Sequence, residues 1–166
     1  MKSDLEMQFF IDKENIAVNV KREFNASLSN VWSAWTEADI LDQWWAPAPF
    51  KSKTKSMEFK EGGRRLYAMV GPDGSERWSF FDYSSISPKT NFKHSSTFCD
   101  ADANPVANMG SSYWDVSFSE NGDLTVVDIV IKRDSLAELE KVVEMGFKEG
   151  FTSTLKSLDK LLESRK

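Results

Sequence analysis

At 166 residues the chain has the length of one domain, and folding at that size removes about 70% of the surface an extended chain exposes, enough for one real core. Hydrophobic residues are 40% of the total and charged residues 28%, which excludes a disordered or fibrous chain. Lys and Arg (21) fall short of Asp and Glu (26), and no basic cluster extends beyond Gly63-Arg64-Arg65, so the net charge of −5 excludes a nucleic-acid binder, which needs a cationic surface to displace phosphate counterions.

Apolar residues alternate from Leu5 to Ile11 and again from Ile16 to Phe24, with Asp12-Lys13-Glu14-Asn15 between them, the pattern of a β-hairpin. Arg22 falls on the apolar parity of the second strand, either as a strand-end residue reaching water or as a polar group inside a pocket. Ser27 or Ser29 can cap a short helix whose buried stripe is Val31, Trp32 and Trp35. Thr36 is placed to cap a second helix, with Ile40, Leu41 and Trp44 as its apolar face and Pro47 and Pro49 as its stop.

From residue 54 to 132 strand and turn alternate. One strand ends at Met57 and Phe59 before Gly62-Gly63, and the next runs from Arg64 to Val70. Gly71-Pro72-Asp73-Gly74 turns the chain into a strand from Glu76 to Ile86, and Ser87-Pro88-Lys89 turns it again into Asn91 to Phe98. A polar loop from Asp100 to Ser111 precedes strands over 112–118 and 124–132, joined by the Asn121-Gly122 hairpin signal.

The period then changes. Asp134 or Ser135 caps a helical region in which Leu136 and Leu139 lead into Met145, followed by Phe147, Phe151, Leu155, Leu158 and Leu162 at spacings of three and four. Beside this apolar face runs a stripe of small residues, Gly146, Gly150, Thr154 and Ser157. Each helical glycine costs roughly 1 kcal/mol relative to alanine, so the stripe marks either close packing on a sheet or space for a ligand. No repeat or linker divides the chain, and the expectation is a single domain over 1–166. Its class is α+β: a curved antiparallel sheet with one face on water and the other wrapped around the long C-terminal helix, with two short helices after the N-terminal strands.

Val31-Trp32-Ser33-Ala34-Trp35-Thr36, Trp44-Trp45-Ala46-Pro47, Glu61-Gly62-Gly63-Arg64, Gly71-Pro72-Asp73-Gly74 and Gly146-Phe147-Lys148-Glu149-Gly150-Phe151 follow one another in an order that resembles the family of the activator of the heat shock protein 90 ATPase. That family lies within the START-like superfamily, also called SRPBCC, and the resemblance covers residues 16 to 163. It implies a helix-grip fold with a cavity between sheet and C-terminal helix, used elsewhere in the superfamily for lipids, polyketides, hormones and other apolar ligands. Members similar to this chain are commonly small single-domain bacterial proteins. The eukaryotic activator carries a separate N-terminal domain that engages the chaperone, and this chain shows no such domain, so the family name is not read as an activity.

Little in the sequence is built for chemistry. His94 is the sole histidine, which excludes a site of several imidazoles, and neither a metal nor another cofactor is expected. It is read first as a satisfied or surface residue and only second as a general base. Cys99 is the single cysteine; with no internal disulfide possible, it points to a reducing cytoplasm and an inert thiol. The first six residues lack a secretory leader's apolar run, and no stretch reaches the ~18–20 apolar residues of a membrane span, so a soluble cytoplasmic protein without membrane insertion is expected. Glu76 and Asp82, on the parity of Trp78 and Phe80, are a thin alternative as acid or base, whereas Asp115 alternates away from Trp114.

Aromatic residues are the better candidates for a site, because 12 Phe, 6 Trp and 3 Tyr make 13% of the chain and such rings either fill a thick core or line a cavity. Strand parity groups Arg65 with Tyr67 and Met69, Trp78 with Phe80, Phe92 with His94 and Phe98, and Trp114 with Val116 and Phe118. Opposite Met145, Gly146 and Phe151, and with Trp44 and Trp45 at one mouth, these faces would enclose a site for a small apolar or amphipathic molecule. No catalytic residue is assigned. A chaperone-associated surface and an enzyme acting on a hydrophobic substrate stand as alternatives, and exposed strand edges leave a homodimer open.

Overall fold

The computed structural model describes residues 7–165, so the first residue of the expected opening strand, Leu5, lies outside the described residues. Eight strands form one antiparallel sheet in the order β1-β2-β8-β7-β6-β5-β4-β3. They are β1 (Met7–Asp12), β2 (Ala17–Phe24), β3 (Lys51–Met57), β4 (Arg64–Val70), β5 (Glu76–Ser87), β6 (Asn91–Cys99), β7 (Ser111–Asn121) and β8 (Leu124–Lys132). Helices α1 (Leu28–Thr36) and α2 (Ala38–Leu41) follow β2, and α3 (Leu136–Glu144) and α4 (Phe147–Ser164) follow β8.

Ser27 caps α1 by accepting a hydrogen bond from the Asn30 amide at 3.2 Å, and Ser135 caps α3 in the same way from Glu138. Thr36 does not cap α2. It ends α1, its hydroxyl donating back to the Trp32 carbonyl at 2.8 Å, and Glu37 opens α2 without a side-chain cap. The α2 helix is a single turn, so Trp44 lies beyond it in the following turns.

The C-terminal helical region is broken between α3 and α4. Gly146 has φ of +87°, in the left-handed region that favours glycine, and its amide and that of Met145 close the end of α3 on the carbonyls of Val143 and Lys141. The family-like glycine at 146 thus serves a backbone turn. At 18 residues, α4 spans about 27 Å, long enough to cross the concave face of the sheet.

Register fixes which side chains share that face. Arg65 pairs with Phe81, Tyr67 with Ser79, Tyr83 with His94, His94 with Trp114, and Trp114 with Ile131. The apolar side chains of this set join Leu155, Leu158 and Leu162 of α4 and Val31 and Trp35 of α1 in one core. Trp78 and Phe80 have the opposite parity. They lie on the convex face, where Phe80 forms a second, small cluster with Leu66 and Cys99, and Trp78 and Ala103 pack against it.

Arg22 is only 5% exposed, so of its two readings the strand end reaching water is excluded and the polar group inside the fold stands. Its guanidinium donates to Asp159 on α4 and lies 5.0 Å above the Phe24 ring, tying the helix to the sheet from within. Removing one member of such a pair strands the other charge. Asp159→Leu is expected to destabilise the fold by about 2 kcal/mol or more, whereas Arg22→Met with Asp159→Leu recovers most of that loss; urea unfolding of the double-mutant cycle measures both.

Candidate functional site

From Leu155 onward α4 is packed against the sheet, with Leu155 and Leu158 fully buried, whereas its first turns leave space beside Phe151 and Thr154, which are themselves buried. Between Phe147, Gly150, Phe151 and Thr154 on one side and the concave face on the other lies a recess of about 320 Å³. Tyr67, Met69, Phe98 and Trp114 line it from the strands, Trp45 and Pro47 from the turn after α2, and Leu139 and Val142 from α3. A groove of about 330 Å³ adjoins it, sharing Pro47, Phe98, Arg133, Phe147 and Gly150 and adding Met145 and Gly146.

Two indole rings of adjacent residues take different parts. Trp44 is 2% exposed, and its Nε1 donates to the Ala34 carbonyl at 2.9 Å, which locks it against α1 and away from the recess. Trp45 Nε1 donates to the Tyr67 hydroxyl at 3.1 Å, and its ring meets Trp114 at 5.7 Å and Phe151 at 6.2 Å, so it closes one end of the recess. Gly150 supplies the space. A Cβ built on it meets nothing within 4 Å, which decides against close packing as the reason for that glycine.

The sequence-derived set therefore separates. Trp45, Tyr67, Met69, Phe98, Trp114 and Phe151 line the recess, and Met145 and Gly146 line only the groove. Trp44 and His94 lie in the surrounding core, while Trp78 and Phe80 are behind the sheet. Sequence reasoning missed Ser79 and Phe81, which hold the concave positions on β5. A signal was present: Glu76 and Asp82 share the parity of Trp78 and Phe80, and two charges on one face mark it as outward.

Several polar groups near the recess are held by the protein. Arg65 is fully buried, donating to Ser52 Oγ at 2.8 Å and Thr54 Oγ1 at 3.3 Å, and both hydroxyls donate onward to Asp42. Its guanidinium lies 4.0 Å over the Tyr67 ring. Burial pushes the Arg65 pKa down, opposed by Tyr67, Tyr83 and Asp42, and burial pushes Tyr67 up. His94 stacks on Phe81 at 4.1 Å, and its Nδ1 donates to the Ser95 carbonyl at 3.0 Å, which places a proton on Nδ1.

None of the titratable groups lining the recess is a carboxylate, an imidazole or a thiol; they are Tyr67, Arg77 and Arg133. Asp82 forms a two-point pair with Arg64 on the convex face, Glu76 is exposed at the start of β5, and Cys99 is buried with its pKa raised by desolvation and then by Asp100. Among the described residues no group of three or more His, Cys, Asp or Glu is placed to hold a metal ion, and no helix is long and apolar enough to cross a membrane.

A curved antiparallel sheet closed over a C-terminal helix, with open space beside that helix, defines a helix-grip protein of the START-like class. The sequence profile of the family described as activator of Hsp90 ATPase homolog 1-like protein matches residues 25–163, and the chain belongs to that family. A crystal structure of a Mycobacterium smegmatis protein is similar at 24% identity and a TM-score of 0.86, covering 96% of this chain and 97% of that one. An Arthrobacter aurescens solution structure is similar at 25% identity and a TM-score of 0.89, over 95% and 91% of the two chains. An AHSA1 protein from Silicibacter pomeroyi shares 18% identity at a TM-score of 0.71, over 90% and 99%. No curated protein matches the chain.

Burial lowers the His94 pKa from its ordinary 6.5 to about 4, helped by Arg65 and opposed by the bond to Ser95. The unfolded chain therefore takes up this proton before the folded one does. The stability contribution is complete above about pH 6.5 and is lost as pH falls toward 4, on the order of 3 kcal/mol in all. In His94→Leu the urea midpoint is expected to lose most of its pH dependence across that window.

Proposed function

We propose that the protein is a receptor for a small apolar or amphipathic molecule, held between the concave face of the sheet and the N-terminal half of α4. The observation that carries this reading is Gly150. A glycine in the middle of a helix costs roughly 1 kcal/mol relative to alanine, and here no neighbouring atom requires it, since a Cβ would enter open space. What that glycine preserves is volume.

The character of the walls supports the same role. A drug-sized site is a largely preformed concavity of ~300–1,000 Å³ with apolar walls and a few placed polar groups. Met69, Trp114, Phe147 and Phe151 supply the walls, and the hydroxyls of Ser79, Ser96 and Ser112 the polar points. The fold class is one whose members enclose ligands in this position, and the family relationship agrees with it.

Gly150 separates volume from stability. Gly150→Ala is expected to raise stability by about 0.5–1 kcal/mol through helix propensity alone. Gly150→Phe is expected to fold while excluding the ligand. Native mass spectrometry of protein purified from its own host should show an apolar molecule copurifying with the wild type and with Gly150→Ala but not with Gly150→Phe. A wild-type protein that carries nothing and gives no thermal shift with a library of lipids and aromatic compounds would remove the receptor role.

A further inference from the structure

The recess and the groove meet at Arg133, which lines both. Building on the receptor role just proposed, we infer that Arg133 binds the carboxylate of an amphipathic acid whose hydrocarbon part occupies the recess.

Arg133 directly follows β8, and its side chain is only 9% exposed. Its Nη2 donates to the Met109 carbonyl at 2.8 Å. The nearest carboxylate oxygen, Oε1 of Glu138, is 3.7 Å away on a side chain that is one-third exposed. The Arg133 Nε is buried and has no hydrogen-bond partner. Desolvating a guanidinium is costly, and the partner that best offsets that cost is a planar anion able to accept two parallel N–H bonds; the Nε itself is covered, so an anion in the recess engages it only when the side chain turns.

Charge around the two spaces points the same way. The chain carries a net −5, yet the charged side chains lining recess and groove are Arg77, Arg133 and Lys141 against one carboxylate, Glu138. The charged part of the lining is thus mainly cationic within an acidic protein. Phe98, Val142 and Phe147 flank Arg133 with apolar surface, so a ligand placing its anion there lays its hydrocarbon chain along rings instead of water. An alcohol or hydrocarbon of the same length would form no ion pair with the guanidinium, and an amine would meet like charge.

The alternative role for Arg133 is a purely structural tie to the loop carrying Met109, and matched ligands distinguish the two. Intrinsic tryptophan fluorescence, with Trp45 and Trp114 in the recess wall, is followed during titration with laurate and with dodecanol, both below their aggregation concentrations. Wild-type protein is expected to bind laurate roughly tenfold or more tightly than dodecanol, the range of a charge-assisted pair. Arg133→Gln should bring laurate down to the dodecanol affinity while dodecanol binding is unchanged, and Arg133→Lys should keep part of the preference. Glu138→Gln removes the competing carboxylate and should tighten laurate a few-fold without altering dodecanol, a readout that holds even where Arg133→Gln fails to fold. Equal affinity for the two ligands in the wild type, a full laurate preference surviving in Arg133→Gln, or laurate binding indifferent to Glu138→Gln would each overturn the anion site. In those cases the recess would still be a receptor for neutral molecules. Failure of both ligands to bind the wild type would overturn the receptor role and the anion site together.

Discussion

The sheet turns a mostly apolar face inward, with a polar cluster where Arg65, Ser52 and Thr54 meet at the β3 end, and α4 is the element that lies across it. Burying that face is the constraint from which the remaining architecture follows, because rings such as Phe81, Phe92 and Trp114 release most of their folding free energy only when covered. The cover is uneven. Toward its C-terminus α4 presents Leu155, Leu158 and Leu162, and the Arg22–Asp159 contact holds that half against β2. Toward its N-terminus it presents Gly150 and Thr154 beside two phenylalanines, and contact gives way to space. One helix thus serves as both plug and wall.

Polar groups inside the core are what keep the wall in place. Asp42, Ser52, Thr54 and Arg65 join the segment after α2 to β3 and β4, and the guanidinium of Arg65 supports the ring of Tyr67 from behind. Tyr67 in turn accepts from Trp45. The indole that closes the recess is therefore braced through a chain of hydrogen bonds and ring contacts ending at a buried charge, which favours one arrangement over the many that loosely packed aromatic rings allow. His94 sits within the same stack of rings as a neutral spacer, with no access to the recess.

Much of this was legible in the residues. Alternation on β2, β4 and β6 assigned the concave set correctly, because each of those strands carries its rings on one parity, and on β7 the run Trp114, Val116, Phe118 outweighed the lone outward Tyr113. On β5, Phe80 and Phe81 are adjacent, so rings fall on both parities and hydrophobicity alone cannot choose; the charges at Glu76 and Asp82 could have chosen. The two readings of Arg22 could not be separated for a related reason: its partner Asp159 lies 137 residues away, and spacing within one strand carries no trace of a long-range ion pair. Gly150 was singled out by its helical cost, but whether the space beside it is filled depends on the height of the surrounding strands, which only three dimensions settle. Arg133 drew no notice, since a lone arginine between a strand and a helix cap looks like any solvated residue.

Register has a further consequence for how the molecule is made. Val18 pairs with Ile131, so the N-terminal hairpin cannot join the sheet until a partner encoded more than a hundred residues later has been synthesised. The helix that seals the interior comes later still. Throughout most of translation, the ring-bearing face of β4 to β7 has nothing to bury it, and such non-local pairing belongs to the slow regime of millisecond-to-second folding. The sticky interior of such a nascent chain stays uncovered until α4 has emerged to close it.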